Sequence, residues 1–484
     1  MKRALLVLVI PALLVVAGCV KKPPEPAEIR KQSFPLVAPE RTWSATAAPG
    51  DVTSGWLASF QDPQLDELVR EAVANNPDLR VGATRVEQAA IAVTMAKSRL
   101  LPSIGILGRG STKLSDDMST GLSGGIFSVS WEIDLWGRLR YARNATAETF
   151  VATQSDYEFA RQSIAAATAK SWFAATETAL ERKLAAAMVT SAEQRVTLAV
   201  KRVEVGAGDE QDTADARADV ASYQDSEVQL ALAYEQSVRA LELVLGRYPS
   251  AELAARATLP ELPGPVPAGL PLQLLERRPD LLAAERRVAA AFNRVGEAKA
   301  ARLPSLSLTL SGGYLTSSVL QLKDEYSNPS AGLSGSLFAP LYKGGALKTQ
   351  VKIRTAEQKQ AIAAYAGVGL RAFGEVENAL ASELAARDRE RILGRTLADS
   401  RRALEIVQSQ YKVGSTDLRF VTQRQLALNS TQSALIRAQS EQRVQRVNLH
   451  LALGGSFEPR PTPPQEPGTK PPPPPPIGAA PATR

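Results

Sequence analysis

RLRYARNATAETFVATQSDYEFARQSIAAATAKSWFAATETALERKLAAAMVTSAEQRVTLAVKRVEV, residues 138–205, holds no glycine and no proline, and 17 of its 68 residues are alanine. Alanine is the strongest helix former and glycine and proline the strongest breakers, so the stretch predicts one uninterrupted helix. Larger apolar residues recur every seven positions, at Phe150, Tyr157 and Ile164 and again at Val189, Val196 and Val203. That spacing draws a packing seam along a straight or gently supercoiled helix. At 1.5 Å per residue it reaches about 100 Å, far beyond an ordinary globular domain.

Outward from this stretch the chain nearly repeats itself. Residues 346–413 again run 68 long without proline, interrupted only by Gly367, Gly369, Gly374 and Gly394. Each run ends in a matching break, at Gly206 and Gly414, and each following helical run ends at Gly246 and Gly454, an offset of 208 in both cases. Upstream, Pro77-Asp78-Leu79 pairs with Pro279-Asp280-Leu281 and Leu101-Pro102-Ser103 with Leu303-Pro304-Ser305, both offset by 202. Four matches in one order indicate internal duplication. The halves are 61–246 and 271–456, with a proline-bearing linker at 247–270.

Between the helices the period changes. In Phe127–Leu135 every odd position is apolar and every even one polar, and Leu306, Leu308 and Leu310 alternate with serines and Thr309. Such alternation predicts strands. Each half offers two, 103–112 with 123–135 and 304–315 with 330–341, joined by Gly/Ser/Asp-rich turns at 115–122 and 316–329. About ten residues is the length that crosses a bilayer in a tilted β-barrel. A half-buried sheet in a soluble domain fits the strands alone equally well. In lipid, however, four strands cannot leave their edges open, so closure needs several chains, and three is the smallest number that leaves a lumen.

The ends carry their own signals. Lys2 and Arg3 precede the apolar run 4–17, the layout of a secretory signal peptide over 1–18. Val16-Ala17-Gly18-Cys19 follows, and Cys19 is the only cysteine, so no intramolecular disulfide can form. Residues 19–60 are proline-rich and polar without a period and read as a tether. A short helix is expected at 63–74, then Asn76 as cap and Pro77 as first residue of another. Residues 457–484, with the run Pro471–Pro476, read as a disordered tail.

Arg277-Arg278-Pro279-Asp280-Leu281-Leu282-Ala283-Ala284-Glu285-Arg286, the duplicated helix–strand–strand–helix plan and the lipobox-like Val16–Cys19 together resemble the TolC/OprM outer-membrane factors, in their NodT-like lipoprotein branch. The resemblance spans about residues 55–456. It implies an α+β membrane protein: a homotrimer with a twelve-stranded β-barrel in outer-membrane lipid, continuous with a twelve-helix periplasmic α-barrel. It also implies acylation of Cys19, palmitate included, and Val20 in place of aspartate favours the outer membrane. The implied function is the passive exit duct of a tripartite efflux pump. Its partners would be a periplasmic adaptor (membrane fusion protein) and an inner-membrane transporter of the resistance–nodulation–division type.

Catalysis has little material. The single histidine, His450, sits in an apolar run, no nucleotide-binding signature occurs, and no cofactor or metal set can be assembled. A net charge of +7 with interspersed signs argues against nucleic acid. The residues of interest flank the breaks: Asp209, Glu210, Asp212 and Asp215 after the turn at Gly206, and Asp417 after Gly414. By resemblance these turns form the periplasmic entrance, and Asp212 stands where the family has a gate aspartate, expected to help hold the entrance shut. Gln423 stands where the family often has aspartate. In a trimer each inward carboxylate becomes a ring of three, which raises its pKa and attracts cations. The plain alternative is that these acids solvate turns and cap helices. The competing reading of the whole chain is a structural or adaptor lipoprotein whose coiled-coil hairpins act as a spacer.

Overall fold

The computed structural model of the chain describes residues 20–35, 42–109, 122–206, 208–317 and 330–458. In chain order the elements are α1 (Pro26–Ser33), α2 (Pro63–Asn75), α3 (Pro77–Ser98), β1 (Ser103–Arg109), β2 (Leu122–Ile133), α4 (Arg138–Glu204), α5 (Glu210–Leu245), α6 (Pro279–Ala300), β3 (Ser305–Ser317), β4 (Ser330–Phe338), α7 (Ala346–Lys412) and α8 (Leu418–Ala452). The two long helices are continuous for 67 residues each.

The strands form one antiparallel sheet in the order β1-β2-β3-β4. Residues directly opposite in such a ladder share a face. The register sets Ile106 against Phe127, Val129 against Leu310 and Leu310 against Leu333, so one face is an apolar band. It sets Ser128 against Ser311, Ser130 against Thr309 and Thr309 against Ser334, so the other is lined by hydroxyls. In the single chain the apolar band is bare: Ile106 is 80% and Leu333 75% exposed.

The helices copy the order of the strands. α3 leads into β1, β2 into α4, α6 into β3 and β4 into α7, and the packing order of those helices is α3-α4-α6-α7. Beyond their ends the layer continues as α5-α4-α8-α7. Two of the four rods are therefore composite, with the start of α3 meeting the end of α5 and the start of α6 meeting the end of α8. At the first joint the Asn76 side chain accepts from the Asp78 and Leu79 amides and donates to Val244 O at 2.9 Å. At the second, buried Arg278 donates to Ala452 O at 3.2 Å and pairs with Asp280 and Glu375. Gly246 and Gly454 end the lower helices with positive φ, 76° and 69°, in the close quarters beside Asn75 and Arg278.

A belt girdles the middle of the rods. Trp172 and Phe173, near the centre of α4, are fully buried with Phe60, Leu65, Leu241 and Leu245. A second cluster joins Ile29, Phe34, Trp43, Leu281, Tyr365 and Val376. The reading of 20–60 as a tether is corrected here. Its described residues carry helix α1 and a 3-10 turn (Trp56–Phe60), and its apolar residues are belt core. Phe34 stands edge-on to Tyr365 at 5.4 Å and lies on Gly369, where a Cβ would come within 2.3 Å of the ring. That contact explains a glycine inside a long helix. The linker 247–270 is likewise held: Arg443 donates to Pro260 O at 2.8 and 2.9 Å, and Arg446 to Gly264 O at 2.9 Å.

Boundaries differ locally for identifiable reasons. β2 stops at Ile133 because the Asp134 carboxylate turns to accept from the Leu139 and Arg140 amides at the start of α4. β4 stops at Phe338, two residues before Pro340, which cannot donate to a ladder. The expected extensions to 135 and 341 are therefore not strand, and residues 110–112 of the first expected strand lie outside the described residues. Phe457 is buried in the belt and Glu458 pairs with Arg161 at 2.6 Å, so the body runs two residues into the segment expected as tail. The signal peptide, Cys19 and residues 459–484 lie outside the described residues.

Candidate functional site

The far end of the rods gathers the residues that the sequence singled out. α4 closes with Gly206 at φ 69°, its amide donating to Val203 O. α7 closes with Gly414 at φ 78°, its amide donating to Tyr411 O, while the Ser415 amide reaches Gln410 O. This pair of bonds is a Schellman ending, which requires the left-handed conformation that glycine adopts freely. Neither glycine would meet another atom if it carried a Cβ, so conformation alone selects it.

Asp209 is the N-cap of α5: its side chain accepts from the Gln211 amide at 3.1 Å. Glu210 and Asp212 lie in the first turn, where acids complement the positive helix end. Glu210 and Asp215 are exposed, as is Gln423 in α8. Asp417 sits at the N-cap of α8 without a capping bond from its side chain and pairs loosely with Arg419 at 3.5 Å. Thus Asp209 and Glu210 have helix-end tasks. Asp212 differs: it is half-buried, and burial, then Asp209, then Asp417 push its pKa up against the pull of Arg419 and Arg202. Asp212 thus lies near Asp209 and Asp417, whose charges oppose its own.

What ties the two turns together escaped sequence reasoning. The Arg202 guanidinium lies 4.3 Å from the centre of the Tyr411 ring and donates to Tyr411 O at 3.4 Å. Ala199, Tyr411, Leu418 and Val421 form a small apolar cluster beside it. Arg195, buried, reaches Asp219 at 3.4 Å across the α4–α5 hairpin. An arginine and a tyrosine each a few residues before a terminal glycine were the available signal, but nothing in one dimension joins residues about 200 apart.

Elsewhere, His450 is buried and stacked on Trp56 at 5.8 Å, and burial pushes its pKa down to about 3. It is a neutral packing residue. Among the described residues no cluster of His, Cys, Asp or Glu could hold a metal ion, and no helix is long and apolar enough to cross a membrane. The second statement says nothing of strands.

Comparisons with known proteins agree with this architecture. A family model described as outer membrane efflux protein matches residues 68–247 and 270–455. The pyoverdine export outer membrane protein OpmQ of Pseudomonas putida is 29% identical over 440 residues, covering 87% of this chain and 93% of the relative. The cation efflux system protein CusC of Escherichia coli is 27% identical over 458 residues, covering 92% and 97%. Among solved structures, the open state of the Neisseria gonorrhoeae MtrE outer membrane channel superposes with a TM-score of 0.79 at 24% identity, covering 91% of this chain and 98% of that one.

Proposed function

Because this chain belongs to the outer membrane efflux protein family, we propose that it acts as a homotrimeric exit duct. Three copies would join into a twelve-stranded barrel in the outer membrane and a twelve-rod tunnel below it. The chain is an outer-membrane efflux component. What supports the duct in particular is one observation: a four-stranded sheet with an apolar face, a hydroxyl-lined face and two unpaired outer edges. Those edges cannot remain open in lipid, and sister chains offer the complementary edges. The hydroxyl face then lines the lumen and the apolar face meets acyl chains.

The remaining assignments follow from position. Cys19 is the acylated N-terminus: Val20 packs on Gly137 and the Lys21 amide donates to the Tyr141 hydroxyl, both at the sheet-to-helix junction where a lipid anchor would enter the leaflet. The tips form the entrance, joined to a periplasmic adaptor and through it to an inner-membrane transporter that supplies the energy. Arg202 on Tyr411 holds the turns together, and Asp212, charged, opposes Asp209 and Asp417 and loosens them. The two relatives above carry pyoverdine and cations in their names, so cargo is set by the attached transporter. The protein works without catalysis.

Native mass measurement on the detergent-purified, full-length protein tests the assembly. Three copies are expected, with intermolecular crosslinks between cysteines placed on β1 and β4. A stable monomer, or crosslinks only within one chain, overturns the reading.

A further inference from the structure

At the level where strands give way to rods, cations gather at the helix ends, and at one helix start they run against the local helix field. The starts of α2, α3, α5 and α6 carry acids in the first turn, as the helix dipole favours. The starts of α4 and α7, which face the sheet, carry none. At α4 the carboxylate of Asp134 serves the exposed amides and pairs with Arg140. At α7 no side chain caps the start, and residues 326–356 contain no Asp or Glu, yet Lys343 and Lys348 flank it. The neighbouring rods add Lys97 and Arg99 at the end of α3 and Lys299 and Arg302 at the end of α6, again in stretches, 88–115 and 298–323, without an acid. All six side chains are exposed, and none has a carboxylate within ion-pair distance among the described residues. Lys97 and Lys299 occupy equivalent places in the duplication, offset by 202.

This collar adjoins the apolar band. Tyr342 is 87% exposed beside it, and Lys343 lies 5.6 Å from the centre of the Phe338 ring. A cavity of about 310 Å³, lined by Trp136, Phe338, Lys343 and the ion-paired Arg138 and Glu132, with Asp134 paired to Arg140, opens at the same height. Aromatic residues with a cation at the edge of a lipid-facing surface mark the headgroup level. Uncompensated cations there fit anionic phosphate groups, which also supply the negative charge that the start of α7 lacks.

We propose that this collar binds the headgroups of anionic phospholipids in the leaflet nearest the rods, with Lys343 and Lys348 as its centre. The proposal rests on the sheet spanning a membrane, as argued above. Full-length protein is reconstituted in nanodiscs of equal phosphatidylcholine and phosphatidylglycerol, extracted in detergent, and its retained lipids are counted by native mass spectrometry. Wild type should retain phosphatidylglycerol several-fold over phosphatidylcholine. Lys343→Gln with Lys348→Gln should abolish that preference, because each cation near an anionic surface contributes about a fivefold factor. Lys183→Gln with Lys412→Gln, the same charge change on exposed positions along the rods, should leave it intact. Equal retention of both lipids by wild type, or an undiminished preference in the collar variant, overturns the proposal. Conductance of wild type in pure phosphatidylcholine bilayers reports on the duct alone, so the two claims fail separately.

Discussion

The belt and the tips are built from the same rods by opposite means. In the belt, Trp172, Phe173, Tyr365 and Arg446 are all under 2% exposed by side-chain packing from chain segments far away in sequence. Arg446 alone joins Glu383 to the carbonyls of Pro263 and Gly264. At the tips the rods hold one another through a small apolar cluster, one ring-stacked arginine and a 3.4 Å hydrogen bond, with like charges nearby. A fully buried aromatic contributes several kcal/mol, whereas the cation that Arg202 lays on the Tyr411 ring contributes about 0.5–2. The rods are thus clamped at mid-height and weakly latched at the end, which is what a duct needs if its entrance is to move while its wall stays shut.

The contrast can be broken by substitution, and the largest effect belongs to the belt. Trp172→Ala removes a fully buried indole and the bond its N–H makes to the Asp62 carboxylate at 3.0 Å, leaving that group to Arg256 and the Leu65 amide. A loss of about 3–5 kcal/mol is expected, read from chemical unfolding in detergent. Next comes Gly369→Ala, which should destabilise by about 1–3 kcal/mol because the new methyl collides with the Phe34 ring. Gly394, lower on the same helix, has open space around it. There the same exchange should stabilise, by up to about 1 kcal/mol, through helix propensity alone. One substitution with opposite signs at two heights measures the difference between belt and distal rod directly.

The tip effects are smaller in stability and larger in function. Arg202→Ala, which removes the cation and leaves the buried Tyr411 ring in place, should cost about 1 kcal/mol yet raise uptake of a bulky antibiotic through the outer membrane, with unfolding of the belt unchanged. The smallest effect is that of pH. Asp212 has a folded pKa raised above its ordinary value, so its contribution to a closed tip is full below that ordinary value and is lost as pH rises through the raised one. Channel opening should increase across that window, and Asp212→Asn should flatten the dependence, read as open probability in planar bilayers.

Much of this was legible in one dimension. The long helices showed because breakers are absent over 138–205, the strands because alternation at 127–135 is clean, and the Asn76 cap because its side chain acts within three residues. The belt was hidden because Ile29, Phe34, Trp43 and Phe60 carry no period of their own, each being buried by other segments of the chain. Arg443 and Arg446 carry no signal of their role in the sequence, since their partners are backbone carbonyls of a proline-rich segment about 180 residues upstream. The acids of the tip were found, but their helix-end tasks and the Arg202–Tyr411 contact required three dimensions.

Whether one chain supplies a third of a conducting wall is decided most directly by single-channel recording of the size-fractionated oligomer in a planar bilayer. Discrete, uniform conductance steps from a trimeric fraction, absent from any monomeric fraction, are the expected result. A trimer that never conducts, or conductance carried by monomers, would contradict the account.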